Sequence, residues 1–153
     1  MRIFKKTITR NSKETQKIAY GLAKKIAISK INSFAKILVL TGNLGAGKTT
    51  FVQGFAQGLG VKQRIVSPTF LIFRSYKLSS EIYKKLYHVD AYRIKKNREL
   101  LDLGFKEILS ESRNIVLIEW GDKIKKILPP KTIWIKFEHG KDENERTMLS
   151  YKL

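Results

Sequence analysis

The sequence predicts a three-layer α/β fold in which a mixed, partly antiparallel central sheet lies between helices. An apolar run at residues 37–40 leads through a glycine-rich loop into a helical pattern, which is typical of a buried parallel strand and the helix that follows it. A second apolar run at residues 115–118 has the same character. Between them, segments 70–78 and 82–93 lie on either side of two serines and indicate an antiparallel pair. Together these patterns predict a parallel sheet with an antiparallel extension.

The remaining elements follow from local patterns along the chain. Ser12 resembles a helix N-cap, and the helix after it carries apolar side chains every three to four residues. The helix after the glycine-rich loop is expected to stop at the glycines within residues 58–60. The other predicted elements are an edge strand at 3–9, short helices at 98–103 and 105–109, a strand at 114–120, and closing strands at 132–137 and 146–153.

Length and composition limit the classes of protein. The 153 residues are predicted to form a single domain, residues 1–153, long enough to bury a core without covalent crosslinks. The absence of cysteine excludes disulfides and thiolate metal sites, and two histidines leave little for zinc, so any metal would have oxygen ligands. No stretch is apolar enough to span a membrane or to act as a leader. We therefore expect a cytoplasmic protein that does not bind membranes.

The net charge of +18 has two interpretations. Lysine pairs are spread along the chain rather than gathered in one tail, and such a surface attracts anionic partners such as RNA. A lysine-rich surface also arises without function when the coding sequence is rich in A and T. The charge permits an RNA partner and does not establish one.

The pattern at residues 42–49, Gly-x4-Gly-Lys-Thr, is a phosphate-binding P-loop or Walker A motif. Its glycines let several backbone N–H groups point at one phosphate, and the following helix N-terminus favours anions. Lys48 is expected to reach the β and γ phosphates, the Thr49 hydroxyl to ligate Mg²⁺, and Thr50 to lie near the α phosphate. The alternative is a glycine-rich turn that binds nothing. The motif predicts a nucleoside triphosphate with Mg²⁺ as ligand, within a P-loop NTPase fold.

A carboxylate at the end of a neighbouring buried strand would complete the metal site. Glu119 directly follows the apolar run at residues 115–118, as in a Walker B motif with Glu in place of Asp. The alternative is an acid that only solvates the edge of the sheet. Because a P-loop is also present, we favour the metal role.

Asp90 is the second candidate acid. In an extended strand His88, Asp90 and Tyr92 share a face, where Asp90 would sit in the outer shell of Mg²⁺ or orient a water molecule. The alternative is a polar network between strands, to which we assign His88. Ser67 and Thr69 lie on a loop shortly after the P-loop helix, which is either a γ-phosphate switch or an ordinary turn.

Six motifs in register resemble one family. The stretches TGNLGAGKTT, VSPTF, HVDAYR, ELLDLGFKE and LIEWGD, followed by Arg146, are similar to those of the TsaE (YjeE) family of small bacterial ATPases. The resemblance implies an Mg²⁺-dependent ATPase that binds ATP and hydrolyses it slowly. It also implies a role in forming N6-threonylcarbamoyladenosine (t6A) at position 37 of tRNAs, as an accessory factor that acts with TsaB and TsaD and does not perform the transfer itself. Any contact with tRNA would be indirect.

The resemblance also assigns roles to individual residues. It implies Lys48, Asp90 and Glu119 as catalytic residues, and Thr49, Glu119 and Asp90 as the metal site. The residues that it implies around the nucleotide are Ser12, Thr15, Asn43, Leu44, Gly45, Ala46, Gly47, Lys48, Thr49, Thr50, Ser67, Thr69 and Trp120.

Three parts of this set have distinct roles in the family. Ser12 and Thr15, at the start of the first helix, match a region that approaches the base. Ser67 and Thr69 match the switch-like loop, and Trp120 is expected to wall the nucleotide pocket.

One departure from the family pattern is visible in the P-loop. The family usually has Gly-Asp-Leu-Gly-Ala-Gly-Lys-Thr, and here Asn43 replaces the Asp. Loss of this charge beside the phosphates would tighten nucleotide binding or alter turnover.

A small P-loop kinase and a non-enzymatic RNA-binding module are the alternative classes. A kinase needs a lid of arginines that clamp phosphates, and the arginines of this chain are scattered. An RNA-binding module would explain the charge and leave the P-loop without a role. A translational GTPase is excluded because the sequence contains neither Asn-Lys-x-Asp nor Asp-x-x-Gly.

Overall fold

The computed structural model describes residues 2–152, apart from the side chains of residues 2, 4 and 152. Within this range the chain forms a seven-stranded sheet, four α-helices and one 3₁₀ segment. The strands are β1 (Arg2–Thr9), β2 (Lys36–Thr41), β3 (Phe73–Lys77), β4 (Lys85–Asp90), β5 (Asn114–Glu119), β6 (Ile133–His139) and β7 (Arg146–Lys152). The helices are α1 (Ser12–Ala27), α2 (Lys48–Gly58), α3 (Asn97–Leu101) and α4 (Phe105–Ser110), and the 3₁₀ segment is Gly121–Ile127.

The sheet is parallel in its centre and antiparallel at both sides. Its strand order is β1-β7-β6-β2-β5-β4-β3. Strand β2 pairs in parallel with β5 and β6, and β4 pairs in parallel with β5. The pairs β3-β4, β6-β7 and β1-β7 are antiparallel. The predicted mixed sheet is therefore confirmed, and β1 is an edge strand as expected.

Two hydrophobic cores cover the two faces of the sheet. Leu38 and Leu40 of β2 pack in one core with residues of α1 and α2. Ile37 and Val39 of the same strand pack in the other core with residues of α3, α4 and the 3₁₀ segment. Because successive side chains of a strand point to opposite faces, an apolar run without alternation requires cover on both sides. The three-layer arrangement follows from this pattern and is confirmed.

The cap of α1 differs from the prediction by one residue. Asn11, rather than Ser12, is the N-cap, and its side-chain oxygen accepts a hydrogen bond from the Glu14 backbone N–H at 2.9 Å. The Glu14 carboxylate in turn accepts from the Arg10 backbone N–H at 2.7 Å. Asn and Ser are comparable caps, so the sequence alone did not separate the two positions.

The antiparallel pair β3-β4 is shorter than predicted. Strand β3 begins later, and strand β4 ends earlier, than the sequence pattern indicates. Phe70 is 84% exposed, and the Leu71 N–H bonds the Pro68 carbonyl in a turn, so the strand begins only at Phe73. Strand β4 ends at Asp90 because the Asp90 carboxylate accepts a hydrogen bond from the Tyr92 N–H at 2.9 Å, which turns the chain. The expectation that Tyr92 extends the strand beside His88 and Asp90 was wrong.

The other predicted elements are present with small changes in their ends. Two short helices lie on either side of Gly104, which has a positive φ of 80°. The two closing strands are β6 and β7, and residue 153 of the predicted last strand lies outside the described residues. No helix among residues 2–152 is long and apolar enough to cross a bilayer.

Candidate functional site

The polar residues singled out by the motifs meet at one edge of the sheet. Strand β2 runs into the P-loop after Thr41, while β4 and β5 end in Asp90 and Glu119. Asp90 and Glu119 are partners in the β4-β5 register, and Leu40 is the partner of Glu119 in β2-β5. Because all three strands are parallel, their carboxyl ends lie at the same edge, which is where open α/β sheets bind ligands.

Gly42 starts the P-loop in a conformation that only glycine adopts readily. Its φ is 129°, and a Cβ at this position would lie 2.3 Å from the Phe137 carbonyl oxygen. The loop therefore passes directly against β6 before it turns. Gly47 at the other end has a φ of 99° and precedes the first residue of α2, so the loop delivers a helix N-terminus to the site.

Lys48 is held inside the loop that carries it. Its side chain is 4% exposed, and Nζ donates to the carbonyl oxygens of Gly42 at 2.6 Å and Asn43 at 2.9 Å. Nζ also lies 4.0 Å from the centre of a ring of Trp120. Burial lowers the pKa of Lys48, against the opposing attraction of Glu119, Asp90 and Asp122. A buried ammonium group that donates to neutral carbonyls favours an anion beside it.

Glu119 connects the P-loop helix to β4. Its Oε2 accepts a hydrogen bond from the Thr49 hydroxyl at 3.1 Å, and its Oε1 lies 2.8 Å from His88 Nε2. His88 is fully buried and Glu119 is 3% exposed. The carboxylate expected as a metal ligand thus already contacts the hydroxyl expected as its companion.

Asp90 is bound to the hydroxyl loop. Its Oδ2 accepts from the Ser67 hydroxyl at 3.0 Å and from the Thr69 hydroxyl at 3.1 Å. The two hydroxyl oxygens are themselves 2.7 Å apart. Side-chain hydrogen bonds therefore fix the loop after α2 at the end of β4. The sequence pattern, two hydroxyl residues around a proline, did not predict this contact.

These residues line one cleft of about 430 Å³. Its lining consists of Leu44, Gly45, Gly47, Lys48, Thr49, Thr50, Ser67, Thr69, Asp90, Tyr92, Glu119 and Trp120. Asn43 and Ala46, also expected at the site, do not line it: Ala46 is fully buried, and Asn43 contributes its carbonyl to Lys48. Trp120 has a positive φ of 59°, and its ring centre lies 5.0 Å from that of Tyr92, so an aromatic pair forms one wall.

Ser12 and Thr15 line a neighbouring cleft of about 280 Å³. It adjoins the first cleft through Gly45, Gly47 and Thr50, which line both. The Thr15 hydroxyl is 2.8 Å from that of Thr9, so this end of α1 is tied to β1.

Three residues of this second cleft, Asn11, Asn144 and Arg146, were missed as site residues from the sequence. Arg146 donates to the Gly45 carbonyl at 3.3 Å and to two carbonyls of its own loop. In the sequence, the one indication that Arg146 belongs to the site was its place as the last of the six motifs. In the sheet, Arg146 pairs with Thr9 of β1 and His139 of β6, and local patterns do not reveal these pairings.

The oxygen ligands at the first cleft suit Mg²⁺. Thr49, Glu119 and Asp90 supply one hydroxyl and two carboxylates, which are the hard ligands that Mg²⁺ prefers. Among residues 2–152, no group of three or more His, Cys, Asp and Glu side chains could hold a metal by itself. A cation at this place would need further oxygen ligands from phosphates and water, as Mg²⁺ usually has.

A family model described as threonylcarbamoyl adenosine biosynthesis protein TsaE matches residues 9–148. The chain belongs to the TsaE family. A relative from Rickettsia felis, named tRNA threonylcarbamoyladenosine biosynthesis protein TsaE, is 40% identical over 140 residues, which cover 91% of this chain and 75% of the relative. A relative of the same name from Bacillus subtilis is 41% identical over 129 residues, which cover 81% and 78%.

The structural comparison agrees with the family assignment. A crystal structure of YdiB from Bacillus subtilis superimposes with a TM-score of 0.76 at 33% identity, covering all of this chain and 89% of that one. This TsaE-family chain thus has the P-loop NTPase fold that its sequence predicts, and the resemblance stated from the six motifs is confirmed.

Proposed function

We propose that this TsaE-family protein is an Mg²⁺-dependent ATPase that serves t6A formation at position 37 of tRNAs. The observation that carries the proposal is the placement of Lys48: a nearly buried ammonium group that lines the same cleft as Thr49, Glu119 and Asp90. A cation, a hydroxyl and two carboxylates around a P-loop are what a magnesium-bound triphosphate requires. The proposed domain is the whole chain, residues 1–153.

Phosphate binding belongs to the loop at residues 43–50. Lys48 Nζ now donates to two loop carbonyls, and phosphate oxygens of ATP take the place of those acceptors. The N–H groups at the start of α2 point at the same place and add their dipoles. The exchange replaces neutral acceptors with charged ones, which strengthens the hydrogen bonds.

Thr49 and Glu119 are the residues that would hold Mg²⁺, with Asp90 beside them. A bound Mg²⁺ would neutralise charge that develops on the phosphates. The Thr49 hydroxyl and the Glu119 carboxylate are already in contact at 3.1 Å, so they are arranged before any ligand binds. Asp90 lies on the next strand in register with Glu119 and orients the attacking water.

Ser67 and Thr69 form the switch of the proposed mechanism. Both hydroxyls donate to the same oxygen of Asp90. A γ phosphate in the cleft offers these donors a second acceptor, so the loop adopts a different arrangement with ATP than with ADP. Hydrolysis then changes the surface around Phe70 and Leu71, which are exposed next to this loop.

The second cleft receives the base. Ser12, Asn11 and Asn144 supply a hydroxyl and two amides next to the end of the P-loop, and these groups both donate and accept hydrogen bonds. Ser12 and Thr15, which we expect near the base, both line this cleft. Trp120 lines the first cleft instead, and the centre of one of its rings lies 4.0 Å from Lys48 Nζ.

The place in t6A formation is supported by the names of the relatives, which describe tRNA threonylcarbamoyladenosine biosynthesis proteins. We propose that the chain acts in the cytoplasm as an accessory factor of TsaB and TsaD, with tRNA contacted only indirectly. Its ATP cycle would regulate or reset that complex. The residues that line the cleft suit phosphate chemistry rather than transfer of a threonylcarbamoyl group.

Calorimetric titration with MgATP tests the nucleotide site. Lys48→Ala should abolish measurable binding because the loop loses its point charge, whereas Glu119→Ala should retain binding and lose hydrolysis. Unchanged affinity in Lys48→Ala would exclude the assigned site, and equal turnover in Glu119→Ala would remove Glu119 from it.

Co-purification with TsaB and TsaD from the same cell tests the role. Association that depends on ATP, together with a lower level of t6A in cells that lack this protein, is expected. An ATP-binding protein that associates with neither partner would instead favour a small P-loop kinase. Direct binding of RNA without any nucleotide binding would favour the RNA-binding module.

A further inference from the structure

We propose that His88 is a positioning residue of this site: it holds one oxygen of the Glu119 carboxylate and so keeps the other oxygen directed at Thr49 and the metal. The inference rests on the proposed function. From the sequence alone, His88 belongs to a polar network between strands and has no part in the chemistry. The contacts of Glu119 give it a specific task.

The two oxygens of Glu119 have different nearest partners. Oε1 lies 2.8 Å from His88 Nε2, and Oε2 lies 3.1 Å from the Thr49 hydroxyl, which also lies 3.4 Å from Oε1. The last torsion of a Glu side chain is broad and roughly two-fold, so a single contact leaves the carboxylate plane poorly defined. The short contact of His88 with Oε1 fixes that plane and leaves Oε2 as the oxygen nearer to Thr49. Without His88, the carboxylate would be held only by Thr49, the residue that must also meet the metal.

The surroundings of His88 determine which of its nitrogens carries the proton. His88 is fully buried, and Nδ1 has no hydrogen-bond partner among the described residues. A proton on Nδ1 would leave a buried donor unsatisfied and would direct the lone pair of Nε2 at a carboxylate oxygen. A proton on Nε2 instead gives a donor to Glu119 and leaves only an acceptor unpaired. The imidazole therefore donates to Glu119.

Packing alone does not explain this side chain. The register partner of His88 in β5 is Leu117, and Leu86 lies two residues before it in β4, so an apolar residue of similar volume would suit the position. Such a residue would leave no unsatisfied nitrogen in the core. What it could not do is donate to Glu119. Outer partners of metal ligands commonly change metal affinity by about 10- to 100-fold.

Two amide variants separate positioning from packing. In His88→Gln the amide nitrogen can reach the same oxygen of Glu119, whereas in His88→Asn the side chain is one methylene shorter and cannot. Both variants are polar and smaller than imidazole, and because His88→Asn also leaves the larger cavity, nucleotide affinity without metal is measured for each variant to detect general damage to the site. The affinity of Mn²⁺ for the nucleotide complex is measured by electron paramagnetic resonance, and nucleotide affinity is measured separately by calorimetry in EDTA.

We expect His88→Asn to bind nucleotide in EDTA within about twofold of the parent and to bind Mn²⁺ about 10- to 100-fold more weakly. His88→Gln should recover most of the Mn²⁺ affinity. Mn²⁺ affinity in His88→Asn within twofold of the parent, or equal losses in both variants, would overturn the inference while leaving the nucleotide site intact. A parent protein that binds no nucleotide would overturn the proposed function itself.

Discussion

Lys48 occupies a nearly buried position, and its contribution to stability should depend on pH. Burial lowers its pKa in the folded protein below the ordinary value of 10.5. In the range between the lowered pKa and 10.5, the unfolded chain binds the proton more tightly, so the stability of the parent rises with pH through this term. Lys48→Met lacks the term. The free energy of unfolding of the parent should therefore increase relative to that of Lys48→Met as the pH rises to 10.5.

Urea unfolding of parent and Lys48→Met at several pH values below 10.5 measures this difference. Lys62→Met, at an exposed position, is the matched control for the loss of one lysine. A difference between parent and Lys48→Met that stays constant with pH would contradict a desolvated Lys48.

Asn11 and Ser12 provide a second test at the scale of single residues, because the structure and the local sequence pattern disagree about the cap of α1. Asn11 accepts the hydrogen bond from Glu14 N–H, so Asn11→Ala should lower the free energy of unfolding by about 1 kcal/mol. Ser12→Ala should change it by about 0.5 kcal/mol or less, since Ser12 is the first helical residue. Thermal or urea unfolding of both variants checks the order, and a larger loss in Ser12→Ala would restore the sequence-based cap.

The residues of the first cleft were largely predictable because each follows a strand or a glycine loop that the sequence marks. Glu119 directly follows one apolar run, and Lys48 and Thr49 follow the glycine loop after another; parallel strands bring such ends together. Arg146 and Asn144 were not predictable as cleft residues, since they arrive through the pairing of β7 with β1 and β6. The contact of His88 with Glu119 also depends on neighbouring strands rather than on spacing along one strand.

At the scale of elements, buried strands and amphipathic helices were predicted well, and the antiparallel extension was predicted less well. The apolar runs of β2 and β5 leave no alternative to central strands. Strand β3 begins late because a turn at residues 68–72 displaces its predicted first residues, and Arg93 lies over the exposed ring of Phe70. That arrangement depends on contacts between the loop and the residues after β4, which alternation along the sequence does not describe.

The packing of α1 on α2 depends on glycines whose role the sequence did not indicate. A Cβ on Gly54 would lie 2.4 Å from the Gln16 carbonyl oxygen, and one on Gly58 would lie 2.6 Å from that of Tyr20. The two helices therefore approach closely along one turn of α2. A Cβ on Gly21 in α1, by contrast, would meet no other described part of the chain within 4 Å.

This contrast predicts opposite signs for the same substitution. Gly54→Ala should destabilise the protein by about 1–3 kcal/mol because the helices must move apart. Gly21→Ala should stabilise it by about 0.5–1 kcal/mol through helix propensity alone. Urea unfolding of both variants measures the two changes, and a neutral or stabilising Gly54→Ala would show that α1 and α2 do not pack as described.

For the whole molecule, the candidate site draws on distant parts of the chain. The two clefts take residues from the start of α1, the P-loop, the hydroxyl loop, the ends of β4 and β5, and the start of β7. Residues of the P-loop and of the loop after α2 pack in one core, and residues near the ends of β4 and β5 pack in the other. A ligand that contacts them binds only the folded chain, so its binding energy adds to the stability of the entire protein.

MgATP should therefore raise the melting temperature of the whole chain. At a concentration about 100 times its Kd, the added stability is about 2.7 kcal/mol, which corresponds to about 5–10 °C for a protein of this size. Differential scanning fluorimetry of the parent with fresh MgATP measures the shift. Lys48→Ala is the control and should show no shift at the same concentration, because it lacks the charge that we propose holds the phosphates. An equal shift in Lys48→Ala would mean that ATP binds elsewhere, and absence of a shift in the parent would contradict a site that joins these segments.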